Sequence, residues 1–416
     1  MTRSGGRTAP SVLFIHNDFP AQFGDLARWM TGHGWSATFA TAAPDATADG
    51  VRILHYATHR PPAAGVHPYA QPMERAALYA QAFARSALVA RRDGYRPDVI
   101  VAHAGWGPGL CARDVFPTAA YVAYCEWWYR YPGADVAYLV EAGLHPATQG
   151  DEAPMFERMR NAPIAMDIAA ADVSICPTAF QAAQFPASLR AALLVEHDGV
   201  DVDTFRPDAV MRASTLGGLV APGARVVTYA TRGMEPHRGF PQFMAAVPAI
   251  LAADPKAVVL IAGENRVAYG GDALRKTDWK AEALATHDLP ADRVKFVGTL
   301  CGPDYLRLLQ RSDAHIYMTV PFVLSWSMLE AMSAGCALVL SDTAPVREFA
   351  APGSARFVDM RASAAIAEAV IATLTDAANN AAMRRSARTA IVDRLERTAC
   401  HRRKIALFEA LIAKVR

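Results

Sequence analysis

Short apolar runs alternate with segments of helical periodicity along most of the chain. Residues 12–15 are apolar, the turn His16-Asn17-Asp18-Phe19-Pro20 follows, and Phe23, Leu26, Ala27 and Met30 then recur along one helical face, with Gly32 and Gly34 beyond. Apolar positions three and four apart share a side of an α-helix, so the segment reads as strand, loop and amphipathic helix closed by glycine. Further strands are predicted at 37–40 and 98–102, the latter running into His103-Ala104-Gly105-Trp106-Gly107. Between 198 and 223 the pattern gives way to Gly, Asp and Pro punctuation, including Asp198-Gly199, Gly217-Gly218 and Pro222-Gly223. Alternation resumes with a strand at 226–231, a loop at 232–239 and a helix carrying Phe240, Phe243, Met244, Val247, Ile250 and Leu251. Strands at 258–262, 294–297, 315–319 and 337–340 follow, the last two bracketing a helix that runs to Gly335. At the end, Ile405, Phe408, Ile412 and Val415 fall on one helical face.

Strands interleaved with helices imply parallel sheets whose ligand sites lie at the carboxyl ends of the strands. The pattern predicts an α/β protein with two doubly wound, Rossmann-like domains over 1–205 and 206–390, and an amphipathic helix over 391–416 packing back across the boundary. Length agrees, since 416 residues exceed what one hydrophobic core usually serves. Two such domains in tandem predict a cleft between them. The residues after 15 and after 102 should share one crevice of the first domain.

Composition narrows the function classes. The chain is 52% apolar and 20% charged, as globular proteins are. Only residues 1–9 read as a loose tail, and they lack the apolar run of a secretory signal. No apolar run approaches the ~18 residues of a membrane span, so the cytoplasm is the expected location. Cys111, Cys125, Cys176, Cys301, Cys336 and Cys400 never form a C-x-x-C pair, which argues against a disulfide framework or zinc site and for buried, reduced thiols. A net charge of +2 excludes a strong attraction to nucleic acid. Residues 1–200 carry 15 basic and 18 acidic side chains and 201–416 carry 27 and 22, which places anion-binding capacity in the second half. The slightly acidic first half leaves peripheral membrane association unsupported.

Candidate chemistry follows from position. Arg232 and Arg238 flank a loop directly after a parallel strand, where planar guanidinium groups suit a diphosphate. Ser325 is placed to cap a helix that stops near Gly335, and free amides at a helix start favour an anion. Glu330, just over a turn into that helix, is placed to accept hydrogen bonds from vicinal ribose hydroxyls. The D-x-D triplet Asp201-Val202-Asp203 reads as a structural turn rather than a metal site, because no other carboxylate cluster accompanies it. Glu126, Trp127, Trp128, Tyr129 and Arg130 form an aromatic, charged run suited to stacking against a sugar.

Several runs resemble glycosyltransferase family 4. Arg232 through Phe240 resembles its R-x5-K-G-F element with Arg238 in the lysine position, 329–335 its E-A-M-A-x-G element, and 197–207 its N-G-V-D-x-x-x-F-x-P linker. Gly263-Glu264, Phe296-Val297-Gly298 and Ala344-Pro345 through Glu348 also match in order and spacing. The first half resembles the family more loosely, and a subgroup of it through H-x-x-F-P-x-Q-F after the first strand, Tyr124-Cys125-Glu126 with its aromatics, and Pro321-Phe322-Val323-Leu324-Ser325-Trp326-Ser327. The resemblance implies a GT-B fold and a retaining, metal-independent transferase that uses a nucleotide-diphosphate sugar as co-substrate and needs no cofactor. It implies roles for Arg232, Arg238 and His103 in catalysis, and for Gly263, Glu264, Phe322, Leu324, Ser325, Trp326 and Glu330 in donor binding. Asn17, Phe19, Gln22, Trp106, Glu126, Trp127, Tyr129 and Arg130 are the implied acceptor residues, the acceptor being a glycan, a lipid-linked species or a small molecule. The family's usual E-x7-E pair is broken, because Phe322 replaces its first glutamate; donor-sugar identity therefore does not carry over. Two other readings stay open, a nucleotide-sugar epimerase of the same architecture and a non-catalytic nucleotide-sugar binding protein.

Overall fold

The computed structural model describes residues 9–145, 150–269 and 274–415. Apart from Ala9, the expected N-terminal tail lies outside the described residues. Two parallel sheets organise the chain. The first contains β1 (Ser11–Ile15), β2 (Ser36–Thr41), β3 (Arg52–His55), β4 (Val99–His103), β5 (Ala120–Tyr124), β6 (Val173–Cys176) and β7 (Leu193–Val195), in the order β3-β2-β1-β4-β5-β6-β7. The second contains β8 (Arg225–Gly233), β9 (Ala257–Glu264), β10 (Val294–Gly298), β11 (Ala314–Tyr317), β12 (Leu338–Ser341) and β13 (Arg356–Val358), in the order β10-β9-β8-β11-β12-β13. Each sheet is doubly wound: its first strand lies between the second strand and one that arrives later, so successive crossovers leave in opposite directions.

Burial explains why these runs became strands. Val12, Leu13, Phe14 and Ile15 are all solvent-excluded, as are Val226, Val227 and Tyr229, the continuous burial expected of parallel strands covered on both faces. Strand β5 was not predicted, because the unbroken apolar run around it carries no period that separates strand from buried helix. The 22-residue helix Gln71–Arg92 was likewise unpredicted; much of its buried face is alanine, a weak hydrophobic signal.

The chain divides into two compact units, one of residues 1–131, 150–198 and 399–416, the other of 132–149 and 199–398. The division between the units falls at Asp198–Gly199, and residues 132–149 from the first half belong to the second unit. Within that unit the helix Ala134–Glu141 buries Leu139 completely among Phe240, Met244 and their neighbours. Three polar contacts fasten the same helix: Asp135 Oδ2 lies 3.5 Å from His237 Nε2, Tyr138 donates to Asp359 Oδ1 at 3.2 Å, and Glu141 pairs with Arg361 at 3.2 Å. The C-terminal helix Arg397–Val415 adds Phe408, Leu411 and Ile412 to the core of the first unit, while Val415, expected on the same face, is exposed. Inside that unit Lys404 reaches Asp198 Oδ1 at 2.6 Å, and Tyr124 donates to the other carboxylate oxygen at 2.8 Å.

Two further expectations change. Cys301 is exposed and Cys111 half-buried, so only Cys125, Cys176, Cys336 and Cys400 act as interior apolar groups. Asp201 is a turn residue as expected: it accepts from the Thr204 amide at 3.0 Å and pairs with Arg397 at 2.7 Å. No helix among the described residues is long and apolar enough to cross a membrane.

If the helix Ala134–Glu141 is part of the second unit's core, Leu139→Ala leaves a cavity there and destabilises that unit by about 2–5 kcal/mol. Hydrogen exchange should then show lost protection in β8–β13 with β1–β7 unchanged; equal protection in both proteins would remove the helix from the core.

Candidate donor and acceptor pockets

In the second unit, a cavity of about 270 Å³ opens at the carboxyl ends of β8, β9 and β10. Thr231 and Arg232 supply one wall, Gly263 another, Thr299 and Tyr305 a third, and the start of the helix Trp326–Ser333 closes it with Ser325, Trp326, Ser327 and Glu330. Gly263 holds φ +140°, and a Cβ there would stand 2.3 Å from the Thr231 carbonyl oxygen. Only glycine lets β8 and β9 end so close together.

Arg232 is exposed, lines this cavity and makes no ion pair with any described residue. Arg238 does not line it. Its side chain is buried, with Nη1 donating to Thr319 Oγ1 at 2.8 Å and to the Tyr317 hydroxyl at 3.2 Å, and Nη2 donating to the Val323 carbonyl at 3.4 Å. Burial opposes its charge, but Tyr317 and Tyr269 hold its pKa above the ordinary value. No carboxylate of a described residue makes an ion pair with it, but the buried Glu235 carboxylate lies near enough to favour its charge. Tyr317 relays its position, because the same hydroxyl accepts the Ser325 amide at 2.9 Å.

Ser325 is the helix N-cap as predicted, and Gly335 ends the helix region with φ +72°. The cap also uses part of the expected anion site: Ser325 Oγ accepts the Ser327 amide at 3.3 Å. Glu330 is half-buried and faces Tyr305, whose phenol burial and this carboxylate together keep protonated. Glu264, Phe322 and Leu324 are not on the cavity wall. Glu264 is exposed and pairs with Arg266; Leu324 is buried in the core with Met328 and Leu329; Phe322 joins Tyr269 and His237 with ring centroids 5.2 and 5.9 Å away. Thr299, Tyr305 and Ser327 were missed, although Ser327 lies inside a motif already singled out.

The first unit holds a separate cavity of about 370 Å³ at the carboxyl ends of β4 and β5. His103, Trp106, Glu126, Trp127 and Tyr129 line it as expected, while Asn17, Phe19, Gln22 and Arg130 do not. Arg130 is exposed elsewhere, and Phe19 packs on Phe39 at 4.9 Å. Two of the others support the wall from behind: Asn17 donates to the Trp106 carbonyl at 3.3 Å, and Gln22 donates to Glu126 Oε1 at 3.1 Å. Trp128 turns away from the cavity and packs on Phe185.

The residues after β1 and β4 do share one crevice, since the rings of His16 and His103 meet at 5.1 Å. His103 Nδ1 lies 3.2 Å from the Ala104 carbonyl oxygen. Nε2 is left facing Glu126 Oε2 at 3.6 Å. Burial pushes the Glu126 carboxyl up, but His103 and the Gln22 amide outweigh it and hold the group below its ordinary value. The result is a buried imidazole and a carboxylate side by side on a cavity wall. Gly105 makes the turn after His103 possible: its φ is +85°, its amide donates to Asp167 at 2.8 Å, and a Cβ would come within 2.5 Å of Ile164. Burial raises the Asp167 carboxyl to about 6.

Comparison with known proteins agrees with this architecture. The profile described as Glycosyl transferase family 4 group matches residues 33–205, and that described as Glycosyl transferases group 1 matches residues 224–376. The chain belongs to glycosyltransferase family 4. Its fold is GT-B, with two Rossmann-like domains, and solved structures share it along nearly the whole length. Sucrose-phosphate synthase from Thermosynechococcus elongatus aligns with TM-score 0.73 at 16% identity, over 97% of this chain and 100% of that one. Anabaena Alr3699/HepE in complex with UDP-glucose aligns with TM-score 0.65 at 14% identity, over 96% and 99%. An α,α-trehalose-phosphate synthase (UDP-forming) from Burkholderia vietnamiensis gives 0.67 at 12% identity, over 97% and 100%. No curated protein matches this glycosyltransferase by sequence.

Burial, followed by the charge of His103, lowers the pKa of His16 from 6.5 to about 3, and burial lowers His197 and His315 to about 4. Below pH 6.5 the unfolded chain takes up protons that these folded imidazoles refuse, so their contribution to stability is lost as pH falls from 6.5 toward 4. The slope is about 1.4 kcal/mol per pH unit for each histidine. His16→Gln should flatten the acid side of a thermal-denaturation profile by one such increment; an unchanged slope would mean that His16 charges freely in the fold.

Proposed function

We propose that this glycosyltransferase moves a sugar, with retention and without a metal, from a nucleotide-diphosphate sugar held by the second unit to a hydroxyl acceptor held by the first. One observation carries the donor assignment: Arg232, Gly263, the capped helix start and Glu330 wall a single cavity at the ends of β8 and β9. An unpaired guanidinium and a helix start both favour an anion. Gly263 gives the close backbone approach that a diphosphate needs, and Glu330 is placed to accept from ribose hydroxyls. UDP sugars are the first donors to test, because UDP or UDP-glucose occupies the Anabaena neighbour.

A nucleoside diphosphate leaves as a stabilised anion, so fixed positive charge can replace the general acid that glycoside hydrolysis requires. Arg232 supplies that charge at the cavity. Arg238 adds a second cation one phenol away and positions the turn before Ser325. In the first unit, His103 orients the acceptor hydroxyl, and Glu126 holds the imidazole in place. The acceptor proton then passes to the departing phosphate on the same face of the sugar, which accounts for retention. Phe322 gives the donor region an aromatic group in place of a carboxylate, so the donor sugar is recognised without that hydrogen-bond acceptor.

The test is donor turnover with the purified chain against UDP, GDP, ADP and dTDP sugars, alongside thermal shifts. Arg232→Ala should abolish the shift from the correct donor and lower turnover about 10²–10³-fold, the loss typical of one preorganised charge-stabilising group. Arg238→Ala should also weaken the shift, by loosening the Val323–Ser325 turn. Nucleotide-sugar binding without turnover would make the chain a binding protein; an interconverted sugar still attached to its nucleotide would make it an epimerase. An undiminished shift in both arginine variants would refute the donor site.

A further inference from the structure

The cavity of the first unit carries more positive charge than orienting a hydroxyl requires. Besides His103 and Glu126, its charged lining consists of Arg75 and Arg160, both from helices outside every sequence motif. Arg75 follows the first turn of the 22-residue helix Gln71–Arg92, whose N-cap Ala70 has no side-chain hydrogen bond to the helix start. The carboxylate of that turn is already engaged and points elsewhere: Glu74 pairs with Arg60 at 2.8 Å and accepts the Ala63 amide at 3.1 Å. Arg75 therefore faces the cavity with no ion pair to any described residue, at the positive end of a long helix.

Arg160 is held differently. Its guanidinium lies 3.4 Å from the centroid of the Tyr129 ring, and its one ion pair among the described residues is a long one, 3.5 Å to Glu157. Tyr129 is fixed in turn, because its amide donates to Asn161 Oδ1 at 2.9 Å and its carbonyl accepts from Asn161 Nδ2 at 2.7 Å. A guanidinium stacked on the ring of a residue whose backbone is tied down keeps its hydrogen-bonding edge presented and loses less freedom on binding a planar or tetrahedral oxyanion. Glu126, the one acidic group among the described residues of the wall, is committed to His103 and Gln22.

We infer that this cavity takes an acceptor bearing an oxyanion, a phosphate ester or carboxylate, gripped by Arg75 and Arg160 with a hydroxyl turned toward His103. The inference rests on the reading of this cavity as the acceptor site. A volume of about 370 Å³ is near the small end of the ~300–1,000 Å³ usual for ligand pockets. It suits one sugar unit with its anionic group rather than a run of several sugars.

Calorimetric titration of the full chain tests this with inorganic phosphate, glucose 6-phosphate, glucuronate and glucose as probes. Phosphate and at least one charged sugar should bind saturably and glucose should not; Arg75→Gln and Arg160→Gln should each weaken binding about tenfold or more, and Arg75→Lys should retain most of it. Competition by vesicles of phosphatidylcholine with phosphatidic acid, but not by glucose 6-phosphate, would place the oxyanion on a lipid headgroup; the converse would place it on a soluble sugar. Glucose binding as tightly as its phosphate, or no saturable anion binding at all, would overturn the inference. So would anion binding lost in Arg232→Ala and kept in both glutamine variants, since the anion would then occupy the donor cavity. Thermal shifts with the nucleotide-sugar panel on the same preparation keep the donor reading separate, because their absence would sink that reading and leave the phosphate result standing.

Discussion

Everything functional in this protein depends on one constraint of parallel sheets. A right-handed crossover must carry the chain over a face of the sheet, so a sheet covered on both faces needs a point where successive crossovers go opposite ways. In the first unit that point lies between β1 and β4, in the second between β8 and β11. Loops leaving adjacent strands there diverge, and the backbone groups at the strand ends are left to face a crevice. His16 and His103 are set beside one such point, Arg232 and the helix start at Ser325 beside the other.

The two crevices are furnished by different physical means. In the second unit the two arginines make no ion pair with a described residue: Arg232 is exposed, and Arg238 is buried with only the nearby Glu235 carboxylate favouring its charge. An unpaired charge in the interior is costly unless something else uses it, and three neutral acceptors, Thr319, Tyr317 and Val323, satisfy the Arg238 guanidinium while leaving its charge available. At the ends of β4 and β5 in the first unit the polar groups are instead arranged in relation to one another, although Arg75 on the same cavity makes no ion pair with a described residue. Gln22 and His103 fix Glu126, Asp167 ties down the turn at Gly105, and Asn17 holds Trp106, so the wall is rigid before any ligand arrives. Preorganisation of this kind lowers the ordering cost of binding.

Hydrophobic periodicity, through the continuous burial of parallel strands and the glycine stops after helices, made the class of fold, the doubly wound order and most second-unit strands legible. Motif spacing located Arg232, Gly263, Ser325 and Glu330, because four short segments that each end a strand or begin a helix must meet at one sheet edge. Spacing did not show that Arg238 hydrogen-bonds to Tyr317, Thr319 and Val323, since a side chain's direction within a loop depends on the phenol and carbonyl it finds. Nor did spacing show that Phe322 packs against the rings of Tyr269 and His237.

By itself, then, the sequence determined the alternation of elements, the family and the strand ends where chemistry would gather, because these follow from local periodicity and short-range motifs. Only the tertiary structure decided that 132–149 joins the second unit and that Arg75 and Arg160 line the first unit's cavity. Both outcomes arise from contacts between residues far apart in the chain. A cation in an amphipathic helix looks the same in sequence whether it faces water or a ligand, and only the packing of its helix distinguishes the two.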